Sequence, residues 1–293
     1  MSDPNSAPDP NGVYVAALGA GVVDGGEGFD TLQFGNLQAS FAFGFNQMGV
    51  SGGRYAVTQP STGSGGMVEF RNIESIVGSP FGDQLMTNGQ IVSLYGEAGD
   101  DTLSAQMDAP SGVVLRGGEG NDSLSGESLF DDLNGNQGND TVNGWEGADW
   151  VLGGQGNDLL FGGAGDDYVQ GNLGDDTVDG GAGADVVRGG QGDDLVMGGA
   201  GNDQLFGDLG ADTLTGGAGA DVFHVEISRG ADLITDFNAA DGDRLKVDGD
   251  VDFSAEQVGD DIRVTLTYGA FGSPEVILQH ASLASMPSGW IGH

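Results

Sequence analysis

Residues 162–187 read GGAGDDYVQGNLGDDTVDGGAGADVV, three units of one build, each opening on glycine and placing aspartate sixth. Cutting every nine residues from Gly117 carries the same register through twelve units to His224. All twelve begin with glycine. The sixth residue is always aspartate: Asp122, Asp131, Asp140, Asp149, Asp158, Asp167, Asp176, Asp185, Asp194, Asp203, Asp212 and Asp221. The eighth is always apolar, from Leu124 through Val151, Leu160, Val169 and Val178 to Phe223. Position four is glycine except in GESLFDDLN, where Leu129 stands. Fixed-period self-similarity of this kind is the mark of a solenoid.

A weaker form reaches upstream. GSPFGDQLM, TNGQIVSLY and GEAGDDTLS run in phase from Gly78 to Ser104, three residues (105–107) shift the phase, and DAPSGVVLR leads into Gly117. Leu85, Leu94, Leu103 and Leu115 keep position eight, whereas Val92 and Val113 replace the aspartate in two of these units. The pattern predicts a continuous core there, with ion sites missing at the two valines.

Each unit has a mechanical reading. Glycine at positions one and four suits tight turns whose backbone angles exclude other residues. Positions seven to nine predict a short strand, with eight pointing inward and seven and nine outward. Two units make one coil, and coils stack at about 4.8 Å. The expected fold is all-β, a right-handed parallel β-roll. Its core is one residue per strand, thin for so acidic a chain. A low-complexity acidic linker would not hold an apolar residue at every ninth position.

Composition sharpens the question. The 293 residues include 58 glycines and 45 acidic side chains against 8 Lys and Arg, a formal charge of −37. Self-repulsion at that charge opposes compaction unless something cationic neutralises it. Nucleic acid is excluded as a partner, because phosphate binding needs clustered Lys and Arg. The absence of cysteine excludes disulfides and Cys-ligated metal. No apolar run approaches the ~20 residues of a membrane helix. MSDPNSAPDPNG lacks the basic and apolar regions of a secretory signal peptide, so Sec export is not expected of a chain starting at Met1.

The pattern G-G-x-G-x-D-x-U-x resembles the RTX nonapeptide, a calcium-binding motif, and the resemblance spans twelve unbroken units. It implies an ion between turns on the same side, two units apart. For one pair of turns the ligands would be the carbonyls of Gly154 and Gly156 with the Asp158 carboxylate, and the carbonyls of Gly171 and Leu173 with the Asp176 carboxylate. Six oxygens suit calcium better than magnesium, which demands a tight octahedron. Residues 117–224 hold 18 Asp and 3 Glu against Arg188 alone, a net charge of −20. Six aspartates per side leave five gaps per side, so about ten Ca2+ ions would cancel that charge. The sites that use Asp131 are expected to be weak, since their turn lacks its second glycine.

Outside the roll, residues 1–24 read as a disordered leader and 25–77 as a β-built N-terminal cap. The latter includes an isolated unit, GGEGFDTLQ (25–33), together with FAFGF and MVEFRNIESIVGSPFGDQL, similar to the lead-in of RTX arrays. The roll is placed at 78–224, regular from 117, and a C-terminal cap at 225–293. There DLITDFNAADGDRLKV resembles the segment that follows such rolls. DIRVTLTY alternates as a half-buried strand, GAFGSP reads as a turn, and EVILQ as the return strand. A cap is needed because the last coil has an open edge. By resemblance the tail also carries an uncleaved signal for type I secretion machinery.

Candidate catalytic chemistry is sparse. GVSGG around Ser51 has the G-x-S-x-G form, but no helix follows it. His224, His280 and His293 lack metal spacing and no H-E-x-x-H is present, which excludes a zinc protease of that type. Carboxylates are too numerous for a glycosidase pair to be singled out or dismissed. One outward face is less ordinary: Trp150 and Tyr168 fall on neighbouring strands, either as a cross-strand aromatic ladder or as a platform for a sugar or another protein. The expectation is a secreted, non-enzymatic calcium-binding protein that folds in extracellular calcium and serves as a structural or adhesive surface element. Its partners would be cell-surface polysaccharide or surface proteins. The alternative is a polysaccharide-active enzyme or an accessory module of one.

Overall fold

The computed structural model describes residues 13–15, 23–24, 29–34, 53–58, 65–71, 74–87, 91–105, 111–226, 230–249, 251–267 and 274–292. Among them the regular structure is β throughout, apart from one 3-10 turn at Leu283–Ser285. Ser51, Tyr268, His293, FAFGF and most of GAFGSP lie outside the described residues. The chain divides into two compact units, 1–141 and 142–293, and the repeats in each build a parallel β-solenoid that matches a right-handed β-roll.

In the second unit the strands Trp150–Gln155, Tyr168–Leu173, Val186–Gln191, Gln204–Leu209, Val222–Val225 and Arg244–Val247 pair in parallel along one sheet. The strands Leu159–Ala164, Thr177–Ala182, Leu195–Ala200 and Thr213–Ala218 pair in parallel along another. Partners in the array are 18 residues apart, as in Val151↔Val169↔Val187↔Leu205, which is two units per coil. Every position-eight side chain from Val151 to Leu205 is fully buried, so the inward direction follows from the period of two along a strand.

The strands are longer than positions seven to nine. Each runs six residues, through positions one to three of the next unit. Pairing resumes after position one: Leu152↔Gln170 is followed by Gly154↔Asn172 and Gln155↔Leu173. The main chain of the turn keeps its ladder to the next coil, so the turn itself is part of the sheet.

The first unit follows the same plan. Leu85, Leu94, Leu103, Leu115, Leu124 and Leu133 are buried. Ser93 pairs with Val114 and Thr102 with Ser123, a spacing of 21 that absorbs the three extra residues without moving the core position. Thr31–Gln33, Ser75–Val77 and Ser93–Ala98 pair in parallel, with Leu32 and Ile76 buried.

At the other end, Asp261–Thr267 pairs antiparallel with both Asp252–Val258 and Glu275–Leu278. Ile262, Val264 and Leu266 are buried on one face with Val276 and Leu278. The strand and its return therefore form as the alternation predicts, and Glu275–Leu278 joins the roll through Ala231–Ile234.

Candidate metal centre

The turns fix where oxygen atoms converge. Left-handed backbone occurs at positions two and four, as at Gly154 (φ 124°) and Gly156 (φ 123°). Position one is glycine for a different reason from the expected one: space. A Cβ on Gly180 would lie 2.7 Å from Asp185 Oδ2 and 2.7 Å from the Gly198 carbonyl oxygen. On Gly162 it would lie 2.5 Å from the Gly180 carbonyl and 2.7 Å from Asp167 Oδ2. A carboxylate oxygen and a carbonyl oxygen from the next coil thus share the place a side chain would fill.

In the second unit the aspartates stand in two columns. In one, Oδ1 accepts the backbone N–H of the aspartate one coil earlier: Asp158 N–H to Asp176 at 2.8 Å, Asp176 to Asp194 at 2.8 Å, Asp194 to Asp212 at 2.9 Å. On the other side Asp149 donates to Asp167, Asp167 to Asp185, Asp185 to Asp203 and Asp203 to Asp221, at 2.7–3.0 Å. In the first unit Asp122 donates to Asp140 at 2.7 Å.

The second oxygen is the informative one. Oδ2 of Asp122, Asp167, Asp176, Asp185, Asp194, Asp203, Asp212 and Asp221 is buried with no hydrogen-bond partner. A buried acceptor without a donor is costly, and a buried anion more so. Burial accordingly raises these carboxyls: Asp176, Asp185 and Asp194 to about 7, and Asp122, Asp140 and Asp212 to about 6. Neighbouring carboxylates push several of them the same way, and the N–H bond to Oδ1 opposes the shift. Rows of buried anionic oxygens beside main-chain carbonyls fit a hard, oxygen-seeking cation.

Around the pair singled out from sequence, Asp158 Oδ2 and the Gly171 carbonyl both crowd the place a Cβ on Gly153 would take. The Leu173 carbonyl accepts the Gly156 N–H at 2.8 Å and keeps a second lone pair. The Gly156 carbonyl faces Gly174, and Gly154 sits opposite Asn172. No group of three or more His or acidic side chains gathers around one point among the described residues. A cation held in these turns would take carboxylate and main-chain oxygen together.

Asp131 differs. Its Oδ1 accepts the Val113 N–H at 2.8 Å and its Oδ2 the Glu127 N–H at 3.1 Å. Leu129 adopts φ 78° and so keeps the left-handed turn without the glycine.

Beyond the twelve units the rows go on within each unit, through Asp83 and Asp101, which keep position six, and through Asp232 and Asp243, which the sequence reading missed. Asp83 N–H donates to Asp101 at 2.6 Å, and Asp101 N–H to Asp122 at 2.8 Å. Downstream, Asp212 donates to Asp232 at 3.2 Å and Asp221 to Asp243 at 3.0 Å. Burial raises Asp101 to about 8 and Asp232 to about 7. A signal was available: Asp232 and Asp243 each stand two residues before a buried apolar residue, Ile234 and Leu245, as in the repeat. The altered spacings of 20 and 22 hid it.

Trp150 and Tyr168 are direct partners in the parallel register. The indole is 54% exposed, and the Tyr168 hydroxyl donates to Gln170 Oε1 at 2.6 Å. His224 is engaged elsewhere, with Nδ1 2.7 Å from Asp248 Oδ2 and its ring stacked on Phe206.

Fold and turn geometry together define a calcium-binding parallel β-roll. The family of RTX calcium-binding nonapeptide repeats matches segments between residues 77 and 223: 77–108, 114–128, 127–160, 152–187, 161–196 and 188–223. The chain belongs to that family, whose repeats bind calcium. Proteins of the family are typically secreted and are linked to type I secretion. No curated protein matches the chain. Among solved structures it is similar to the extracellular lipase LipA from Serratia marcescens, at 19% identity and a TM-score of 0.30, over 68% of this chain. The match spans 41% of the lipase chain. Among the described residues no helix is long and apolar enough to cross a membrane.

Proposed function

We propose that this protein is secreted through a type I system, folds when it meets extracellular calcium, and acts as a structural or adhesive component at the cell surface or in the matrix. The observation that carries the reading is the row of buried, unpartnered Oδ2 atoms. Such a row is unstable without a cation, so the roll forms only where calcium is plentiful. Inside a cell, where free calcium is micromolar or lower, the chain stays unfolded and can be threaded through a channel. Repeats of this type with affinities in the range of extracellular modules would fill at about millimolar calcium.

In this reading residues 25–77 cap the roll at its start, 78–224 form the roll and 225–293 close it and carry the export signal. The position-six aspartates are ligands together with carbonyls such as those of Gly154, Gly156, Gly171 and Leu173, and Asp101, Asp232 and Asp243 extend the rows within their own units. Asp131, whose oxygens are both bonded to main-chain N–H groups, holds its ion least tightly. The pair of exposed Trp150 and half-buried Tyr168 is the adhesive face.

Calcium titration of the chelated full chain, followed by far-ultraviolet circular dichroism, tests the folding claim. The expected result is a cooperative gain of β-structure with calcium that magnesium does not reproduce. A native spectrum in excess chelator at low salt and neutral pH would sink it. For the adhesive face, replacing Trp150 and Tyr168 with Ser should abolish attachment to cell-surface polysaccharide and leave calcium-driven folding in place.

A further inference from the structure

A second aromatic site lies on the other sheet of the roll. A cleft of roughly 370 Å3 opens there between Trp145 and Phe161, with Asn143, Glu146 and Asp179 at its edge. That volume falls within the range of small-molecule sites.

Its shape follows from the repeat. In the units from residue 144 to 224, position two is otherwise Gly, Asn172 or Asp208. Trp145 alone places a large ring there. The following coils bear Gly163 and Gly181 at that position, so on their side the cleft is floored by glycine main chain. Phe161 and Asp179 are direct partners at position nine and form the opposite wall.

Trp145 holds this place against its backbone preference. Its φ is 74°, a left-handed conformation that asparagine or aspartate tolerates and a bulky aromatic does not favour. Asn143 Oδ1 secures the turn by accepting the Trp145 N–H at 3.0 Å. The indole is nonetheless 53% exposed, so core packing does not account for it. Backbone strain retained for the sake of an exposed ring points to binding.

We propose that this cleft binds an amine-bearing pyranose ring of a polysaccharide, stacked on Trp145. The inference rests on the adhesive reading above and names a ligand class for it. The C–H face of a sugar offers the flat apolar surface that an indole accepts. Glu146 and Asp179 accept bonds from hydroxyls and a protonated amine, and a cation beside an indole gains further attraction. None of the lining residues is cationic, and two of them, Glu146 and Asp179, are acidic. The chain's acid excess outside the repeat remains when calcium neutralises the turns, so uronate or sulfated sugars are repelled. Trp145 lies in a turn of the roll, four residues before Asp149, and binding therefore requires the calcium-loaded fold.

The test uses the full, calcium-saturated protein at physiological salt. Oligomers of glucosamine, N-acetylglucosamine and uronate, and an oligolysine peptide, are titrated by calorimetry and indole fluorescence. Glucosamine oligomers should bind tightest, acetylated ones more weakly and uronates not at all. Trp145→Gly installs the residue most units use there and keeps the net charge. It should weaken glucosamine binding at least tenfold while the melting temperature stays level or rises, whereas an indole that serves only the scaffold would lower it. Asp179→Asn should narrow the gap between glucosamine and its acetylated form. The proposal is overturned by unchanged binding in Trp145→Gly, by a lowered melting temperature with binding retained, by uronates binding as well as glucosamine, or by oligolysine binding alone. Circular dichroism on the same samples reports calcium-driven folding separately, so a failure here is distinct from a failure of the calcium reading.

Discussion

The repeat strands of residues 150–218 and the C-terminal antiparallel strands of 252–278 are both sheets, yet they are held together by different means. In the hairpin, Ile262, Val264 and Leu266 alternate with polar residues and bury one face against Val276 and Leu278. Its ion pairs are exposed, as between Arg263 and Glu256 at 3.3 Å. In the array, one aliphatic side chain per nine residues is buried, and it shares the interior with a carboxylate oxygen that has no donor. Burial of apolar area contributes stability to the first region without an ion; the second needs a cation to convert its interior from a liability into a bonded network. The same backbone ladder therefore rests on apolar burial in one place and on a bound cation in the other.

Removing calcium should break that comparison most visibly. In chelator at neutral pH, amides of the array strands such as Val169 and Val187 should lose most of their hydrogen-exchange protection. Those of Ile262 and Val264 should lose less. Equal loss in both regions would show that the hairpin, too, depends on the roll being loaded.

Within the array, individual carboxylates should rank by how their second oxygen is bonded. Asp176→Ala removes a buried Oδ2 that no donor satisfies and should raise the calcium midpoint on the order of tenfold, the scale on which metal sites respond to losing a supporting group. Asp131→Ala removes a carboxylate whose oxygens already accept the Val113 and Glu127 N–H groups, and its shift should be smaller. Identical shifts in a calcium titration would count against the assigned register.

How much of this was legible in the sequence follows from which atoms carry it. The ninefold period located Val151, Val169 and Val187 in the core, because a side chain's direction is set by strand geometry and the period is unbroken. The length of the strands was not legible, since pairing through Gly154 and Gln155 is a matter of main-chain hydrogen bonds that no side chain announces. Nor was the role of the first glycine. It answers to an oxygen from the neighbouring coil, 18 residues away in sequence, as Gly180 does to the Gly198 carbonyl. Asp232 and Asp243 were hidden by insertions that change the spacing while the local Asp-x-apolar grouping survives.

Acidity should shift the array in a defined direction. Asp176, Asp185 and Asp194 are raised by burial from 3.8 to about 7 in the folded chain. The folded state thus holds these protons more tightly than the unfolded one. Their contribution to the calcium-free fold is fully present below about pH 4, and it is lost as pH rises through about 7. In chelator, lowering the pH from 8 to 5 should restore part of the β-signal. With calcium present the sign reverses at the level of binding: protons compete for the same oxygens, and the calcium midpoint should move to higher concentration. A midpoint independent of pH over this window would mean that these carboxyls are not where calcium binds.

The smallest effect concerns the turn that departs from the pattern. Leu129 is held at φ 78°, where an L-residue with a Cβ is disfavoured by about 1–2 kcal/mol. Its side chain is 48% exposed, so replacing it forfeits little buried area. Leu129→Gly restores the glycine of the other turns but adds backbone freedom to the unfolded chain, a cost of about 0.5–1 kcal/mol. The net expectation is a stabilisation of no more than about 1.5 kcal/mol, read as a slightly higher melting temperature in saturating calcium. The calcium midpoint should move little, because the oxygens of Asp131 remain bonded to Val113 and Glu127 whichever residue makes the turn. A large tightening of calcium binding in Leu129→Gly would show that the missing glycine, and not those two hydrogen bonds, sets this turn apart from the one around Asp176.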